Sequence, residues 1–170
     1  MEEIKDSLPD HLKGHLTTGR ETERAFVECY LKTYGAREVV WATPKQDMFE
    51  HWDVSISGAK IDVKGRVQFG RGTGKQDTYQ RIELLNIYGN YGWLCGKAKF
   101  IVYELLNSWV IVDRQKLKLF AESYQIDPNI VTSAPTVGCL QRREGRKDLL
   151  LWVEMKDILD IAKKVVLKLG

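Results

Sequence analysis

The chain has 170 residues, of which 44% are hydrophobic and 29% charged, with a formal net charge of +3 at pH 7. This composition predicts one globular domain with a real core, and the charge is too small to indicate nucleic-acid binding by itself. The absence of an 18-residue apolar run and of any Cys-x-x-Cys pair argues against a membrane span and a zinc or disulfide framework, so we expect a cytoplasmic protein.

The first predicted element is a helix from Thr18 to Tyr34, opened by a capping box at residues 18–21 and stopped by Gly35. Its core-facing side consists of Phe26, Val27, Tyr30, Leu31 and Tyr34. Glu23 falls on this same side, and a buried carboxylate needs a partner. We therefore interpret Glu23 as part of an acidic site, although a half-exposed Glu favoured by the helix dipole gives the same pattern.

Residues 37–42 predict a strand, 43–51 a loop and 52–64 a β-hairpin, in which Gly58 and Ala59 form a type II′ turn. In this register Asp53 pairs with Lys64. One face of the hairpin is apolar and consists of Val54, Ile56, Ile61 and Val63. The other face consists of Asp53, Ser55, Asp62 and Lys64. A slip of one residue would mix the two faces, so the apolar pattern favours this register.

The polar face of the hairpin predicts a metal-dependent phosphodiesterase. Asp53 and Asp62 lie diagonally across it, within reach of one Mg²⁺, which accepts one or two carboxylates and keeps several waters. Such an ion activates water and stabilises charge on a phosphoryl oxygen, while Lys64 would position the water or neutralise the transition state. An Asp53–Lys64 ion pair on a solvated face, worth about 0.2–1 kcal/mol, would use the same residues. Asp47 in the preceding loop is a rival for the role of Asp53.

Later segments predict strands at 81–87, 99–104, 108–113 and 149–153 and helices at 114–124 and 157–169. The last helix would bury Ile158, Ile161, Ala162, Val165 and Leu169. This order predicts an α/β domain with a central mixed sheet flanked by helices. The single domain would have a core at about residues 18–124 and a C-terminal strand–helix extension at about 139–170.

Two basic segments are candidate contacts for DNA phosphates. Residues 60–81 carry six basic against two acidic side chains, and residues 142–147 form a basic turn. The expected contacts are Arg66, Arg71, Lys75, Arg81, Arg142, Arg143, Arg146 and Lys147. The Gly-rich loop at 65–77 is not a phosphate-binding Walker motif, because Gln76 follows Lys75. Solvated surface loops would show the same composition, and the aromatic segment at 88–96 is either core or a surface that stacks unpaired bases.

Asp53, followed by Asp62-Val63-Lys64, resembles the signature of the PD-(D/E)XK nucleases, which share the restriction-endonuclease-like fold. Residues 22–26 and 34–36 are similar to the first helix of archaeal Holliday-junction resolvases in that family. The resemblance covers about residues 18–120 and departs from the signature before Asp53, where His51-Trp52 replaces the Pro.

The resemblance implies a Mg²⁺-dependent DNA endonuclease that also accepts Mn²⁺. Asp53, Asp62, the Val63 carbonyl and Glu23 would hold the metal, and Lys64 would act on the water and the transition state. A homodimer is a further implication, because resolvases and many restriction enzymes are dimers.

Two other functions remain open at the level of the sequence. A non-catalytic nucleic-acid-binding module or accessory subunit would show salt-sensitive DNA binding without cleavage. A glycoside hydrolase would use the paired carboxylates, but it leaves Lys64 and the basic loop unexplained.

Overall fold

The computed structural model describes residues 10–124 and 129–168, and of residues 10–18 the backbone alone. The helices are α1 (Asp10–Tyr34), α2 (Pro44–Glu50), α3 (Arg114–Ser123) and α4 (Met155–Ile161), with a 3-10 helix at Trp93–Cys95. The strands are β1 (Val39–Trp41), β2 (Val54–Ile56), β3 (Ala59–Lys64), β4 (Val67–Gln68), β5 (Lys75–Gln76), β6 (Tyr79–Leu85), β7 (Phe100–Glu104), β8 (Ser108–Asp113), β9 (Val131–Thr132), β10 (Leu140–Gln141), β11 (Leu149–Glu154) and β12 (Lys164–Leu167). No helix in these ranges is long and apolar enough to span a bilayer.

Most strands belong to one of two sheets. The larger has the order β1-β2-β3-β7-β8-β12, in which β3 and β7 are parallel and all other neighbours antiparallel. The smaller has the order β6-β11-β10-β9, and β4 and β5 form a separate pair. The predicted α/β class with a mixed sheet is therefore confirmed. The second sheet was not predicted, because β6 and β11 come together from distant parts of the sequence.

The six-stranded sheet has an apolar core on each face. On one face, Phe26 and Val27 of α1 pack in a cluster with the apolar side of the β2–β3 hairpin. On the other face, Ile101 and Val112 pack in a cluster with Ile82 and with buried residues of β11, α3 and α4. The hairpin thus has one face under α1 and its polar face toward the second core.

Helix α1 begins earlier than expected, at Asp10, so the predicted start at Thr18 is wrong. Its end at Tyr34 is confirmed, because Gly35 has a φ of 82° and its amide donates to the Leu31 carbonyl over 2.8 Å. The predicted buried side is also confirmed, with Phe26 and Val27 the most buried of the set. Glu23 lies half-buried on that side, as expected.

The hairpin has the predicted faces but a different register. Val54 pairs with Ile61 and Ile56 with Ala59, so the turn is Ser57-Gly58 and the strands are displaced by two residues. Ser57 and Gly58 both have positive φ, 48° and 80°, as a type I′ turn requires. A displacement of two residues leaves every side chain on its face. The predicted Asp53–Lys64 pairing, however, is wrong.

The segment at 43–51 is a helix rather than the predicted loop. Pro44 opens α2, and Thr43 and Gln46 form a reciprocal capping box. Pro is well suited to the first helical position because its missing N–H would have no partner there. Pro44 and the spacing of Thr43 and Gln46 are signals for the start of a helix, so this helix was predictable from the sequence.

The predicted helix at 157–169 is wrong beyond residue 161. Helix α4 ends at Ile161, and β12 adds an antiparallel strand to the edge of the sheet beside β8. Val166 is buried and Val165 half-exposed, an alternation typical of a strand with one covered face. Leu169 lies outside the described residues.

Candidate metal centre

Asp53, Asp62 and Lys64 meet at the open end of the hairpin, on its polar face. Asp62 is 3% exposed, and its Oδ1 lies 2.7 Å from Lys64 Nζ. The Asp53 amide donates to the Ile61 carbonyl over 2.8 Å, which places Asp53 beside Ile61 rather than opposite Lys64. Its Oδ2 accepts a 2.6 Å hydrogen bond from the Val63 amide. The ion pair of the site is therefore Asp62–Lys64, two residues apart on one strand.

The two carboxyl groups compete for negative charge in a buried place. Burial first, and then the charge of Asp62, raises the pKa of Asp53 to about 9. The second oxygen of Asp62, Oδ2, is buried and has no hydrogen-bond partner within the part of the chain that the structure describes. When two carboxyl groups share a buried site, ionisation of one disfavours ionisation of the other. The single positive charge of Lys64 reduces this effect but does not offset it, and the pKa of Asp53 stays raised.

Lys64 remains an ammonium group in this setting. Burial acts to lower its pKa, but the charges of Asp62 and Asp53 outweigh that effect, and the pKa is raised. The side chain is 28% exposed, so it is accessible from solvent. Its Nζ also lies 4.9 Å from the ring centroid of Trp93. The protein therefore provides a fixed positive charge beside the two carboxyl groups.

The backbone carbonyl of Val63 faces the same corner. In an extended strand, the N–H and C=O of one residue point to the same side. The Val63 N–H points to the Asp53 carboxyl group, so the Val63 carbonyl is directed toward that side as well. The predicted contribution of this carbonyl to a metal site is compatible with the strand geometry and stays a prediction.

Two further acidic residues surround this corner. Burial, followed by the charge of Asp47, raises the pKa of Glu23 on α1, and Asp62 adds to the effect. Asp47 on α2 is exposed, yet desolvation by its surroundings and then the charge of Asp62 raise its pKa too. Asp47 was considered only as a rival to Asp53, whereas the structure places both near Asp62. Glu23 as a direct ligand stays a prediction.

Glu83 on β6 is a neighbour whose importance the sequence did not reveal. Burial raises its pKa, and the charges of Lys64 and then Arg81 act in the opposite direction. The sequence allowed Glu83 either to flank the site or to have a structural role in its strand, and it favoured the structural role. Its approach to Lys64 depends on the pairing of β6 with the distant strand β11, which no local pattern encodes.

Two glycines let the segment that carries Trp93 pack closely beside the site. A larger residue at either position would force neighbouring atoms to move. A Cβ at Gly92 would lie 2.5 Å from the Glu83 carbonyl oxygen, and one at Gly96 would lie 2.6 Å from the Cβ of His51. The intervening 3-10 helix places Trp93, which is 7% exposed, against the site. The Gly-rich composition of residues 88–96 was a usable signal for this close approach.

Tyr103 is a second neighbour that sequence reasoning missed. It is fully buried on β7, where it lies level with Lys64 in the parallel register. Among the described residues its hydroxyl has no hydrogen-bond partner. Burial, followed by the charge of Asp62, raises the pKa of Tyr103 well above the usual value. A Tyr within an apolar strand gives no sign of a site, because most such residues belong to the core.

The donor set of this corner suits Mg²⁺. Within residues 10–124 and 129–168, no group of three or more His, Cys, Asp or Glu side chains forms a ready metal cluster. Mg²⁺ is commonly held by one or two carboxylates and keeps several waters. The Asp62 oxygen that has no partner among the described residues, and the raised pKa of Asp53, fit a place where a cation completes the charge balance.

The predicted DNA-binding residues divide into paired and unpaired groups. Arg66 Nε lies 2.6 Å from Asp77 Oδ1, and Arg143 is paired with the fully buried Asp148. The other members are exposed side chains: Arg71, Lys75, Arg81, Arg142, Arg146 and Lys147. Arg66 and Arg143 thus hold their own loops in place.

Comparison with known proteins gives no independent guide to function. No family model, no curated protein and no solved structure matches the chain.

Proposed function

We propose that this protein is a Mg²⁺-dependent nuclease that cleaves DNA internally and has the restriction-endonuclease-like fold. The observation that carries the proposal is the Asp53–Asp62–Lys64 corner, in which Asp62 is buried against Lys64 and burial, with the Asp62 charge, raises the pKa of the Asp53 carboxyl group. Such an arrangement opposes folding at neutral pH, because a carboxyl group that ionises freely in the unfolded chain is disfavoured from ionising in the folded one. A divalent cation bound between the two carboxyl groups would offset this cost.

Asp53 and Asp62 would hold Mg²⁺, with the Val63 carbonyl and Glu23 as further donors. When bound, the ion supplies a water of lowered pKa and stabilises charge on the phosphoryl oxygens. Asp53 must lose its proton for this binding, so affinity for the metal rises with pH. Mn²⁺ accepts the same oxygen ligands and is expected to substitute.

Lys64 would act as a charge and hydrogen-bond donor rather than as a base. Its pKa is raised, so the side chain carries three donors and no lone pair at neutral pH. The Asp62 contact fixes the ammonium group next to the carboxylates. From that position it can orient an attacking water or stabilise the pentavalent phosphorus, which is electrostatic stabilisation of a transition state.

The exposed cations would bind the DNA backbone. Arg71 lies in the loop between β4 and β5, and Lys75 is the first residue of β5. Such contacts position the duplex without reading its sequence. Binding should therefore weaken as salt rises, because counterions are released on complex formation.

The proposal is tested by a panel of linear duplex, single-stranded, nicked and four-way-junction DNA, and RNA. Each substrate is incubated with Mg²⁺, Mn²⁺ or EDTA, and products are separated on denaturing gels. We expect metal-dependent internal cleavage of at least one DNA by the wild type and none by Asp62→Asn. Equal products from the two proteins, or no cleavage on any substrate, would refute the proposal.

A further inference from the structure

A second candidate site lies apart from the carboxyl groups, where the turn after β6 meets the basic turn before β11. A cavity of about 360 Å³ is lined there by Leu85, Gly89, Arg142, Arg146 and Lys147. Three of the five lining residues are cationic. A cavity of this size is within the range of small-ligand sites, about 300–1,000 Å³.

The two walls of this cavity are joined by backbone contacts. The Lys147 amide donates to the Ile87 carbonyl over 3.3 Å. Gly89 has a φ of 85°, and a Cβ there would lie 3.4 Å from the Cβ of Lys147. Arg143 anchors the basic turn from below through its pair with buried Asp148. The cationic wall is thus held against the other wall by the fold.

The lining cations have no counterion of their own. Among the described residues, no carboxylate lies within ion-pair distance of Arg142, Arg146 or Lys147, although Arg143 and Arg66 each have one. Like charges on adjacent residues repel each other, so the arrangement is stabilised by an anion. Arg and Lys side chains converging on a cavity are well suited to phosphate oxygens.

Two exposed tyrosines stand beside the cations. Tyr88 is 73% and Tyr91 76% exposed. Tyr88 adjoins Gly89 in the chain, and Tyr91 forms a β-bridge with Leu85, so both flank the lining. Large exposed aromatic side chains next to unpaired cations are typical of surfaces that bind single strands, where bases stack on rings. Bases within a duplex are already stacked and offer no free face.

The cavity is linked electrostatically to the carboxyl corner. Glu83 interacts with Lys64 on one side and with Arg81 and Arg143 on the other. Arg81 in turn interacts with Arg143 and Arg146. The electrostatic interactions of these charged side chains therefore extend from the corner to the cavity wall.

We propose that this cavity binds an unpaired strand of the nucleic-acid substrate. Arg142, Arg146 and Lys147 hold its phosphates, and Tyr88 and Tyr91 stack its bases. This inference rests on the proposed nuclease function and narrows it to substrates that contain both duplex and unpaired DNA, such as tailed or branched forms.

The test uses the wild-type chain in EDTA, so that binding is measured without cleavage. Fluorescence anisotropy gives the Kd for three labelled probes: an oligo-dT of about 12 nucleotides, a blunt duplex, and the same duplex with an unpaired tail. We expect Tyr88→Ala/Tyr91→Ala to weaken binding of the oligo-dT and the tailed duplex about tenfold, and of the blunt duplex about twofold or less. Arg142→Ala/Arg146→Ala should weaken all three and reduce the salt dependence.

The matched control is Lys116→Ala/Leu119→Ala, which removes one exposed cation and one exposed apolar side chain from α3. It should change no Kd by more than about twofold. Equal losses on blunt and tailed duplex, or no loss in the tyrosine variant, would overturn the inference while metal-dependent cleavage by the wild type upholds the nuclease. A wild type that neither binds nor cuts any probe would overturn both.

Discussion

At the scale of single residues, the most informative group is the Asp53 carboxyl, because its charge state depends on what its neighbours carry. Asp62 and Lys64 are held together as an ion pair, which leaves Asp53 as the group that gains or loses a proton. Burial and the Asp62 charge raise its pKa to about 9. The metal-free protein is therefore expected to bind more protons when folded than when unfolded.

This difference fixes how stability changes with pH. The unfolded carboxyl titrates near pH 3.8 and the folded one near pH 9, so its contribution to stability is present below the first value and declines as pH rises toward the second. In EDTA, Asp53→Asn should therefore gain Tm relative to the wild type as pH is raised from about 5 to 9. Thermal unfolding followed by circular dichroism measures the difference. A difference in Tm that stays constant over this range would contradict the raised pKa.

The residues of the site were only partly predictable. Asp53, Asp62 and Lys64 stand close in sequence, and the alternation of the hairpin was enough to place them on one face. Glu83 and Tyr103 come from other strands, so their approach depends on pairings that local patterns do not encode. The structure also moves the ion pair from Asp53–Lys64 to Asp62–Lys64.

At the scale of elements, the hairpin shows what an alternating pattern can and cannot decide. The pattern excludes a slip of one residue, but a slip of two keeps Val54 and Ile61 on the apolar face. The choice then depends on the turn. The prediction assumed that Gly58 occupies the first turn position, whereas Ser57 adopts the left-handed conformation ahead of it. Turn chemistry was the missing constraint.

The C-terminal strand β12 shows a different ambiguity. The spacing of its apolar residues fits both the period of a helix and the period of a strand. Ile158, Ile161 and Val165 have helical spacing, so the helix was extended through them. The chain leaves the helix at Ala162 because β8 offers a free edge, where Val166 becomes buried. Tertiary pairing decided this segment, and a sequence pattern taken alone contains no information about that edge.

The strand and helix interpretations of residues 164–167 predict opposite effects of mutation. In the strand, Val166 is 2% exposed and Val165 is 47% exposed. Val166→Ala should therefore reduce the free energy of unfolding by about 2 kcal/mol, and Val165→Ala by less than about 0.5 kcal/mol. Urea denaturation measures both. A larger loss for Val165→Ala would support the helix, on whose buried side Val165 was predicted to lie.

At the scale of the whole molecule, the two apolar cores lie on opposite faces of the large sheet. Helix α1 covers one face of the large sheet with apolar side chains. The opposite face carries the carboxyl corner at its edge, with the second sheet and the Trp93 segment around it. A cation bound at the corner would interact with residues from several elements, and its effect should reach global stability.

Metal binding should therefore be visible without any substrate. A ligand that binds only the folded state stabilises it by RT ln(1 + [L]/Kd), about 2.7 kcal/mol at a hundredfold excess over Kd. We expect Mg²⁺ at pH 8 to raise the Tm of the wild type by several degrees and to leave that of Asp62→Asn unchanged. Differential scanning fluorimetry with Mg²⁺, and with Na⁺ at equal ionic strength as the control, separates binding from screening. An equal shift in both proteins would place the ion elsewhere.

The homodimer implied by the resemblance to resolvases stays a prediction at this scale. Sedimentation velocity of the wild type, with and without branched DNA, would establish the mass of the particle that binds the substrate.

The most direct measurement of the central claim is the single-turnover rate of DNA cleavage in Mg²⁺ for the wild type, Asp62→Asn, Lys64→Ala and Lys60→Ala. Lys60 is the matched control, because it lies on the same strand and is paired with Glu50, 3.0 Å away. We expect Asp62→Asn and Lys64→Ala to lose at least about a hundredfold in rate, as for removal of one transition-state stabilising group, and Lys60→Ala to stay within about threefold. Equal rates in all four proteins would contradict the assignment of this corner as a nuclease site.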